Sequence, residues 1–196
     1  MSDDYVIWNY KTEPHAAVLK KLAGLEDEFR LQDGTHLQEG FPRDVAYHMH
    51  PDFPNDIALV DNMLNLDKVI VASPRLTTAI KGRQPAYVEY LPLAVIDHKG
   101  RAASRDYCIV HPVDPVDCID RERSVYTEDD ILPGGIDSFK KLVLDETRIP
   151  ADRALFKLQG FWDITIARRD LAEALDAGKF TGLTWQRIDE YPRKSS

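Results

Sequence analysis

The sequence predicts an α+β domain, with a mostly antiparallel sheet, a few short helices and two strand–helix–strand units. Runs rich in β-branched and aromatic residues recur along the chain and predict strands. Two of these runs are each followed by a short amphipathic helix and then by another strand. The 196 residues suffice for one domain with a sizeable core, or for a domain with a subdomain.

The N-terminal part begins with a predicted strand and helix. The β-prone run YVIWN at 5–9 predicts the first strand. In the segment 12–24, Thr12 can cap a helix and Pro14 suits its first turn. Apolar residues then recur at helical spacing, and Gly24 can end the helix.

A long connection is predicted to follow. Residues 32–56 are rich in glycine and proline, which is typical of a surface segment. The run DIALVDNMLNL at 56–66 predicts a short helix. We therefore expect an N-terminal subdomain at 1–67 and an α+β domain at 68–196, packed together as one compact unit.

The first strand–helix–strand unit comes next. VIVA at 69–72 predicts a buried strand, and Ser73 and Pro74 supply the cap and first turn of a short helix that ends near Gly82. The run YVEYLPLAVID at 87–97 then predicts a long strand. The unit therefore carries a clear start signal and a clear stop signal for its helix.

A hairpin leads from this unit into a loop-rich segment. A turn at 98–100 predicts that the strand at 105–111 returns antiparallel. Residues 112–135 are rich in proline, aspartate and glycine, so they predict a loop with strand-like fragments. Two further strands are predicted at 139–145 and 154–160.

The second unit completes the chain. Residues 163–167 predict a strand, residues 168–178 a helix and residues 180–188 a final strand. The helix is expected to bury a face formed by Leu171, Ala174 and Leu175. This unit resembles the first one only in its pattern of elements.

The composition narrows the classes of partner. The chain has 25 basic and 33 acidic residues, a net charge of −8, so we expect no direct contact with nucleic acid, which requires a basic face. An acidic surface favours the encounter with a basic protein. Apolar runs are too short to span a membrane and the start lacks a secretory pattern, so we expect no membrane contact and a cytoplasmic location.

Histidines offer one alternative, a metal-dependent enzyme. His48 and His50 would share one side of an extended chain, and His111 could supply a third ligand. The two cysteines, Cys108 and Cys118, are not spaced like the paired ligands of a structural zinc site. We therefore expect no metal and no other cofactor, and the three histidines remain an alternative site.

The stretch YCIVHPVDPVDCIDRERS at 107–124 holds the residue types of a thiol triad. Asp117 and Asp120 flank Cys118 and would raise the pKa of its thiol, which makes it a poor nucleophile. We expect both cysteines to be reduced and to fill the core as small apolar residues. The sequence also lacks phosphate-binding glycine motifs and a nucleophile elbow.

An acidic run occupies residues 114–130. It carries seven acidic residues and two arginines in a predicted loop, without the DxDxDG spacing of a calcium loop. Two interpretations remain open, a solvated loop and a partner-binding surface.

An ordered set of motifs links the chain to a known family. The motifs are VIVASPRL (69–76), VEYLPLAVIDHKG (88–100), DYCIVHPVDPVDCIDRERS (106–124), ALFKLQGF (154–161) and FTGL (180–183). The set resembles immunity protein family eleven of bacterial polymorphic toxin systems, over about residues 68–186. The resemblance implies a small cytoplasmic antidote, encoded beside the toxin that it counteracts, without catalytic residues.

The resemblance and the acidic run together predict a non-enzymatic immunity protein that binds a cognate toxin and no small-molecule ligand. The expected contact residues are Arg121, Arg123, Glu128, Asp129 and Asp130. The family's Asp-Cys-x-Asp and serine positions, which we expect to be structural, are here Asp117, Cys118, Asp120 and Ser124. The alternatives are the metal-dependent enzyme and a regulatory protein-binding module.

Overall fold

The computed structural model of the chain describes residues 4–192. Within this range, twelve strands form three sheets, accompanied by two α-helices. The strands are β1 (Tyr5–Tyr10), β2 (Leu19–Ala23), β3 (Ala46–Met49), β4 (Asn62–Met63), β5 (Ile70–Ala72), β6 (Val88–Ile96), β7 (Ala102–Pro112), β8 (Val125–Glu128), β9 (Ile136–Lys141), β10 (Leu155–Leu158), β11 (Phe161–Arg168) and β12 (Leu183–Arg187). The helices are α1 (Pro74–Lys81) and α2 (Arg169–Asp176). The predicted α+β class, with mostly antiparallel strands and short helices, is confirmed.

Six strands form a sheet that nearly closes into a barrel. Its order is β2-β3-β6-β7-β5-β4, with β3 parallel to β6 and the other neighbours antiparallel. Just after β4 the chain returns to β2, where Leu19 N donates to Leu64 O at 2.8 Å and Leu66 N donates to Leu19 O at 3.2 Å. This contact joins the two edges of the sheet and satisfies backbone groups that an open edge would leave unpaired.

The barrel interior is filled by apolar side chains that alternate along the strands. In β6, Leu91, Leu93 and Val95 are buried, while the residues between them are more exposed. Other buried members of this core are Leu19, Tyr47, Met63, Val71, Tyr107 and Ile109. Each such side chain stabilises the fold by about 1.5–3 kcal/mol relative to exposure, so this core fixes the register of the barrel strands.

The first strand–helix–strand unit, β5–α1–β6, is as predicted. Ser73 caps α1, because its Oγ accepts a hydrogen bond from Leu76 N at 3.2 Å, and Pro74 occupies the first turn. Strands β5 and β6 flank β7 and run antiparallel to it. Helix α1 packs Leu76 and Ile80 against the outward-facing residues of β5 and β7.

The second unit, β11–α2–β12, flanks β1 in the same manner. The sheet that contains it has the order β10-β11-β1-β12 and is antiparallel throughout. Helix α2 buries Leu171, Ala172 and Leu175 in the same apolar layer as α1, between the two sheets. The predicted helical face was wrong at Ala174, which is only partly buried, because the helix turns residue 172 rather than residue 174 towards this layer.

Two predicted helices in the N-terminal part are wrong. Residues 12–24 form an irregular stretch followed by β2, which pairs with β3, and His15 has a φ of 57° that a helix does not accommodate. Residues 56–66 form no helix and contain β4 and the bridge residues Ala58 and Asn65. In both segments, hydrogen bonding within the barrel outweighs the small helical preference of the local sequence.

The strands in and after the acidic run differ from the prediction mainly in their bounds. β8 overlaps one of the strand-like fragments predicted within the loop at 112–135, and β9 covers 136–141 rather than the predicted 139–145. β9 ends where its pairing with β8 ends, at the Val125–Lys141 pair. The bounds of β9 are therefore set by its pairing with β8, and the sequence of β9 alone does not show them.

Strands from the first 67 residues are built into both large sheets. β1 lies between β11 and β12, and β3 lies between β2 and β6. The division of the chain at residue 67 stays a prediction.

Candidate functional site

Strands β8 and β9 form a two-stranded sheet of their own, and we call residues 125–141 the acidic ribbon. Glu128 and Asp130 are exposed near the turn of the ribbon. Ile131, the residue after Asp130, is 87% exposed. Asp129 Oδ1 accepts hydrogen bonds from Leu132 N at 2.9 Å and Ile131 N at 2.8 Å, and these bonds lower the pKa of Asp129. The turn therefore presents an apolar side chain beside negative charges.

The two predicted arginine contacts lie at the base of the ribbon. Arg121 Nη2 donates to Gly134 O at 2.6 Å, and its guanidinium lies 5.6 Å from the centre of the Tyr126 ring. Arg123 forms an ion pair with Asp120 and remains largely exposed. Arg121 thus links the base of the ribbon to its turn, while Arg123 keeps a solvent-facing cation beside the acidic run.

The four residues expected to be structural lie in or beside the connection that leads to the ribbon. Asp120 Oδ1 accepts hydrogen bonds from Glu122 N and Arg123 N, and Ser124 Oγ accepts one from Val143 N at 3.0 Å. Asp117 pairs with the side chain of Arg148. These contacts link parts of the connection to one another and to neighbouring segments. The structural role of the four residues stays a prediction.

Cys118 is fully buried in the core beneath the ribbon. Burial, and then the nearby charge of Asp117, raise the pKa of its thiol to about 12, so the thiol is protonated at neutral pH. Such a group is neither a nucleophile nor a metal ligand as it stands.

The three histidines of the alternative metal site do not come together. His48 is paired with Ile96 on β6, whereas His111 is opposite Glu89 on the same strand. Seven residues of strand separate Glu89 from Ile96, which corresponds to about 23 Å, far beyond the reach of a shared metal ion. Across residues 4–192, no group of three or more His, Cys, Asp or Glu side chains could hold a metal ion.

The histidines also have different surroundings. His48 lines an open cleft of about 830 Å³, together with His98 and side chains of both charge signs. His50 packs against Phe53, with 5.0 Å between ring centres. His111 is completely buried, and its Nε2 donates to Thr35 O at 2.8 Å. Burial lowers the pKa of His111, so it is neutral at physiological pH.

Among the described residues, four charged side chains are buried that were missed in the sequence: Asp61, Glu89, Arg153 and Lys157. Lys157, only 2% exposed, donates from Nζ to Trp162 O at 3.0 Å, and burial lowers its pKa to about 8. Burial would raise the pKa of Asp61, but hydrogen bonds from Arg75, Ser73 and Thr181 lower it to about 2. In the sequence, such a residue is marked only by its place inside an apolar run, which does not show which groups it bonds to.

By its structure, the chain is an α+β protein with a barrel-like sheet and an exposed acidic ribbon. The model of the Immunity protein family (Imm11) matches residues 5–190. The chain therefore belongs to this immunity protein family, and the match includes the N-terminal residues that the motif resemblance, at about 68–186, left out. No curated protein matches the sequence. Over residues 4–192, the helices are too short and too polar to cross a bilayer.

Proposed function

We propose that this chain acts as a non-enzymatic immunity protein, which binds a cognate toxin in the cytoplasm of the producing cell and neutralises it. Membership of the immunity family over residues 5–190 is the observation that carries this proposal. The burial of Cys118 and the separation of the histidines are consistent with a binding protein. Tight binding with slow dissociation is what an antidote requires.

The acidic ribbon is the proposed contact surface. Glu128, Asp129 and Asp130 lie together at its turn, and the preceding strand carries no basic residue. Negative charge at an exposed turn attracts a basic toxin over a distance and speeds the encounter. Ile131, the exposed apolar side chain that follows these acidic residues, would then contribute apolar contact.

Arg121 and Arg123 are proposed to contribute in different ways. Arg121 is already bonded within the ribbon, so it would hold the turn in its binding shape. Arg123 is paired with Asp120 but exposed, and it would contact the toxin directly as a planar, multiply donating group.

Co-expression with the toxin encoded by the neighbouring reading frame tests the function. We expect the chain to restore growth and to bind the purified toxin with a Kd of about 1 nM or lower. A chain that neither binds nor rescues would overturn the proposal.

A charge reversal tests the contact surface separately. We expect Glu128→Lys with Asp130→Lys to slow association about tenfold at low salt, and the difference to shrink as salt screens the charges. Glu26→Lys with Asp152→Lys, at two exposed acidic residues outside the ribbon, makes the same change of net charge; it serves as the matched control and should have little effect. Rescue and binding with an unchanged association rate would refute the ribbon as the contact surface while leaving the immunity function intact.

A further inference from the structure

Residues 32–40, which we call the strap, lie across the end of the barrel where β6 begins and β7 ends. Glu89 of β6 is 8% exposed, and its Oε2 accepts hydrogen bonds from Leu37 N at 2.8 Å and Gln38 N at 2.9 Å. The side chain of Leu37 is buried in the barrel core. The strap therefore covers part of the barrel interior. It is held there by Glu89, by a bond from Asp114 N to Gly34 O at 3.1 Å and by one from His111 Nε2 to Thr35 O at 2.8 Å.

His36 adds a further attachment through both of its ring nitrogens. Nδ1 lies 2.9 Å from Glu89 Oε1, and Nε2 lies 3.2 Å from each oxygen of Asp114, which follows β7. A carboxylate only accepts hydrogen bonds, and a neutral imidazole has one N–H, so only protonated His36 can donate to both partners. A neutral ring would direct a lone pair at one of the two carboxylates.

We propose that His36 is a proton-operated latch, which closes the strap over the barrel when it is protonated and loosens the strap when it loses the proton. Loss of the proton removes one hydrogen bond and the attraction to two carboxylates. The backbone bonds to Glu89 then hold the strap without the support of His36. Local opening, in which these bonds also break, therefore becomes more frequent while the barrel stays folded. The expected consequence is a pH-dependent exposure of Leu37 and of the barrel end beneath it.

The groups around His36 support this direction. Hydrogen bonds to Glu89 and then to Asp114 raise the pKa of His36, and its side chain is 61% exposed. The latch is thus fully closed below the ordinary histidine pKa of about 6.5 and is lost as the pH rises through the raised value. Arg30 Nη2 donates to the His36 carbonyl oxygen, and Asp33 and Glu39 are the charged residues of the strap itself.

Two other titratable groups, His111 and Lys157, lie near the strap, and their titration differs from that of His36. His111 donates to Thr35 O, and burial lowers its pKa, whereas the pKa of His36 is raised, so the two histidines titrate on opposite sides of the ordinary value. Lys157 has a pKa of about 8 and titrates on the same side as His36, but it donates to Trp162 O and not to the strap. Amide-resolved measurements distinguish strap opening from a change around Trp162.

Amide hydrogen exchange of the full chain, followed by NMR from pH 6 to 9 and normalised for intrinsic exchange, tests the latch. We expect the protection of Leu37 and Gln38 to fall about tenfold for each unit by which the His36 pKa exceeds 6.5. A ring-nitrogen titration of His36 supplies that pKa independently, so the two measurements must agree.

Three variants complete the test. His36→Gln should remove the pH dependence of strap protection, and Asp114→Asn should shift its midpoint to lower pH. His15→Gln changes another exposed histidine with a carboxylate neighbour, at 3.7 Å from Asp56, and should leave the wild-type profile unchanged. A wild-type profile that is flat with pH, or one that Asp114→Asn does not shift, would overturn the proposal even if His36→Gln failed to fold.

Discussion

The two strand–helix–strand units share one arrangement but differ in how they are completed. In each, the two strands lie on either side of a third strand, which is β7 for β5–α1–β6 and β1 for β11–α2–β12. β7 follows β6 directly through a hairpin, whereas β1 comes from the other end of the chain. The first unit is therefore completed by local contacts, and the second depends on residues about 160 positions away.

The units also differ at their helix starts. Ser73 caps α1 with its side chain, while the corresponding residue of α2 is Arg168, which makes no capping hydrogen bond. Arg168 instead pairs with Asp170 in the first turn. The stability of helix α2 thus comes more from the packing of its buried face than from a capping residue at its start.

The largest effect is expected where the second unit passes close to the barrel. Gly182 has a φ of 75°, and a Cβ there would lie 2.4 Å from Asn62 O, so Gly182→Ala should lower the free energy of unfolding by about 3 kcal/mol. Gly82, at the end of α1, has room for a methyl group, and Gly82→Ala should change it by less than about 0.5 kcal/mol. Urea unfolding measures both. Equal effects would show that the two connections from helix to strand are equally crowded.

The next effect concerns the carboxylate that joins the two units. Asp61 accepts hydrogen bonds from Ser73 and Arg75 of the first unit and from Thr181 before β12. We expect Asp61→Asn to destabilise the protein by about 2 kcal/mol at pH 7, less than for a fully buried pair because Arg75 is half exposed. Asp152→Asn, at an exposed aspartate, is the control.

The same carboxylate predicts a pH dependence. The folded pKa of Asp61, about 2, lies below its ordinary value of 3.8. Its contribution is thus present above about pH 4 and is lost as the pH falls towards 2. Denaturant unfolding at several pH values should show the difference between wild type and Asp61→Asn narrowing in acid. A constant difference would assign the effect to packing.

A smaller effect tests the helix starts. Ser73→Ala should lower the free energy of unfolding by about 1 kcal/mol, because it removes a capping bond and a bond to Asp61. Arg168→Ala, at the matching position of α2, removes no cap and should cost less. Thermal unfolding compares the pair, and a larger loss for Arg168→Ala would contradict the contrast drawn between the two helices.

The smallest effect on stability is expected outside both units. Ile131→Ser should leave the free energy of unfolding within about 0.5 kcal/mol of wild type, because the side chain is almost fully exposed. The same change should weaken toxin binding if the ribbon is the contact surface. Calorimetric unfolding and a binding assay separate the two outcomes, and a large loss of stability would indicate a packing role for Ile131.

The sequence predicted the elements that carry their own signals. Ser73, Pro74 and the apolar residues of α1 are local features, and so are the long strand and hairpin of β6 and β7. Residues 12–24 failed because their helical spacing was the stronger local signal, while the pairing with β3 that decides their state lies more than 20 residues away. Barrel closure through Leu19 and Leu64–Leu66 has no local signature at all.

The candidate site was predictable to a similar degree. The acidic charge of the ribbon and the unsuitability of Cys118 as a nucleophile follow from neighbouring residues in the sequence. The separation of His48 from His111 does not follow from neighbouring residues, because it depends on which end of β6 each histidine is paired with. The pairing of His36 with Glu89 and Asp114 joins residues 53 and 78 positions apart, and a single sequence does not reveal such contacts.

The placement of β1 has a consequence for synthesis on the ribosome. Tyr5 pairs with Arg168, so β1 must wait for β11 before their sheet can form. At about 5–20 residues per second, this wait is roughly 10–30 seconds after Tyr5 is made. The sheet that holds the second unit therefore cannot form before residue 168 has been made, and a chain that stops before β11 lacks this unit. If the chain has the proposed immunity function, the producing cell would need to hold completed copies of it before the toxin arrives.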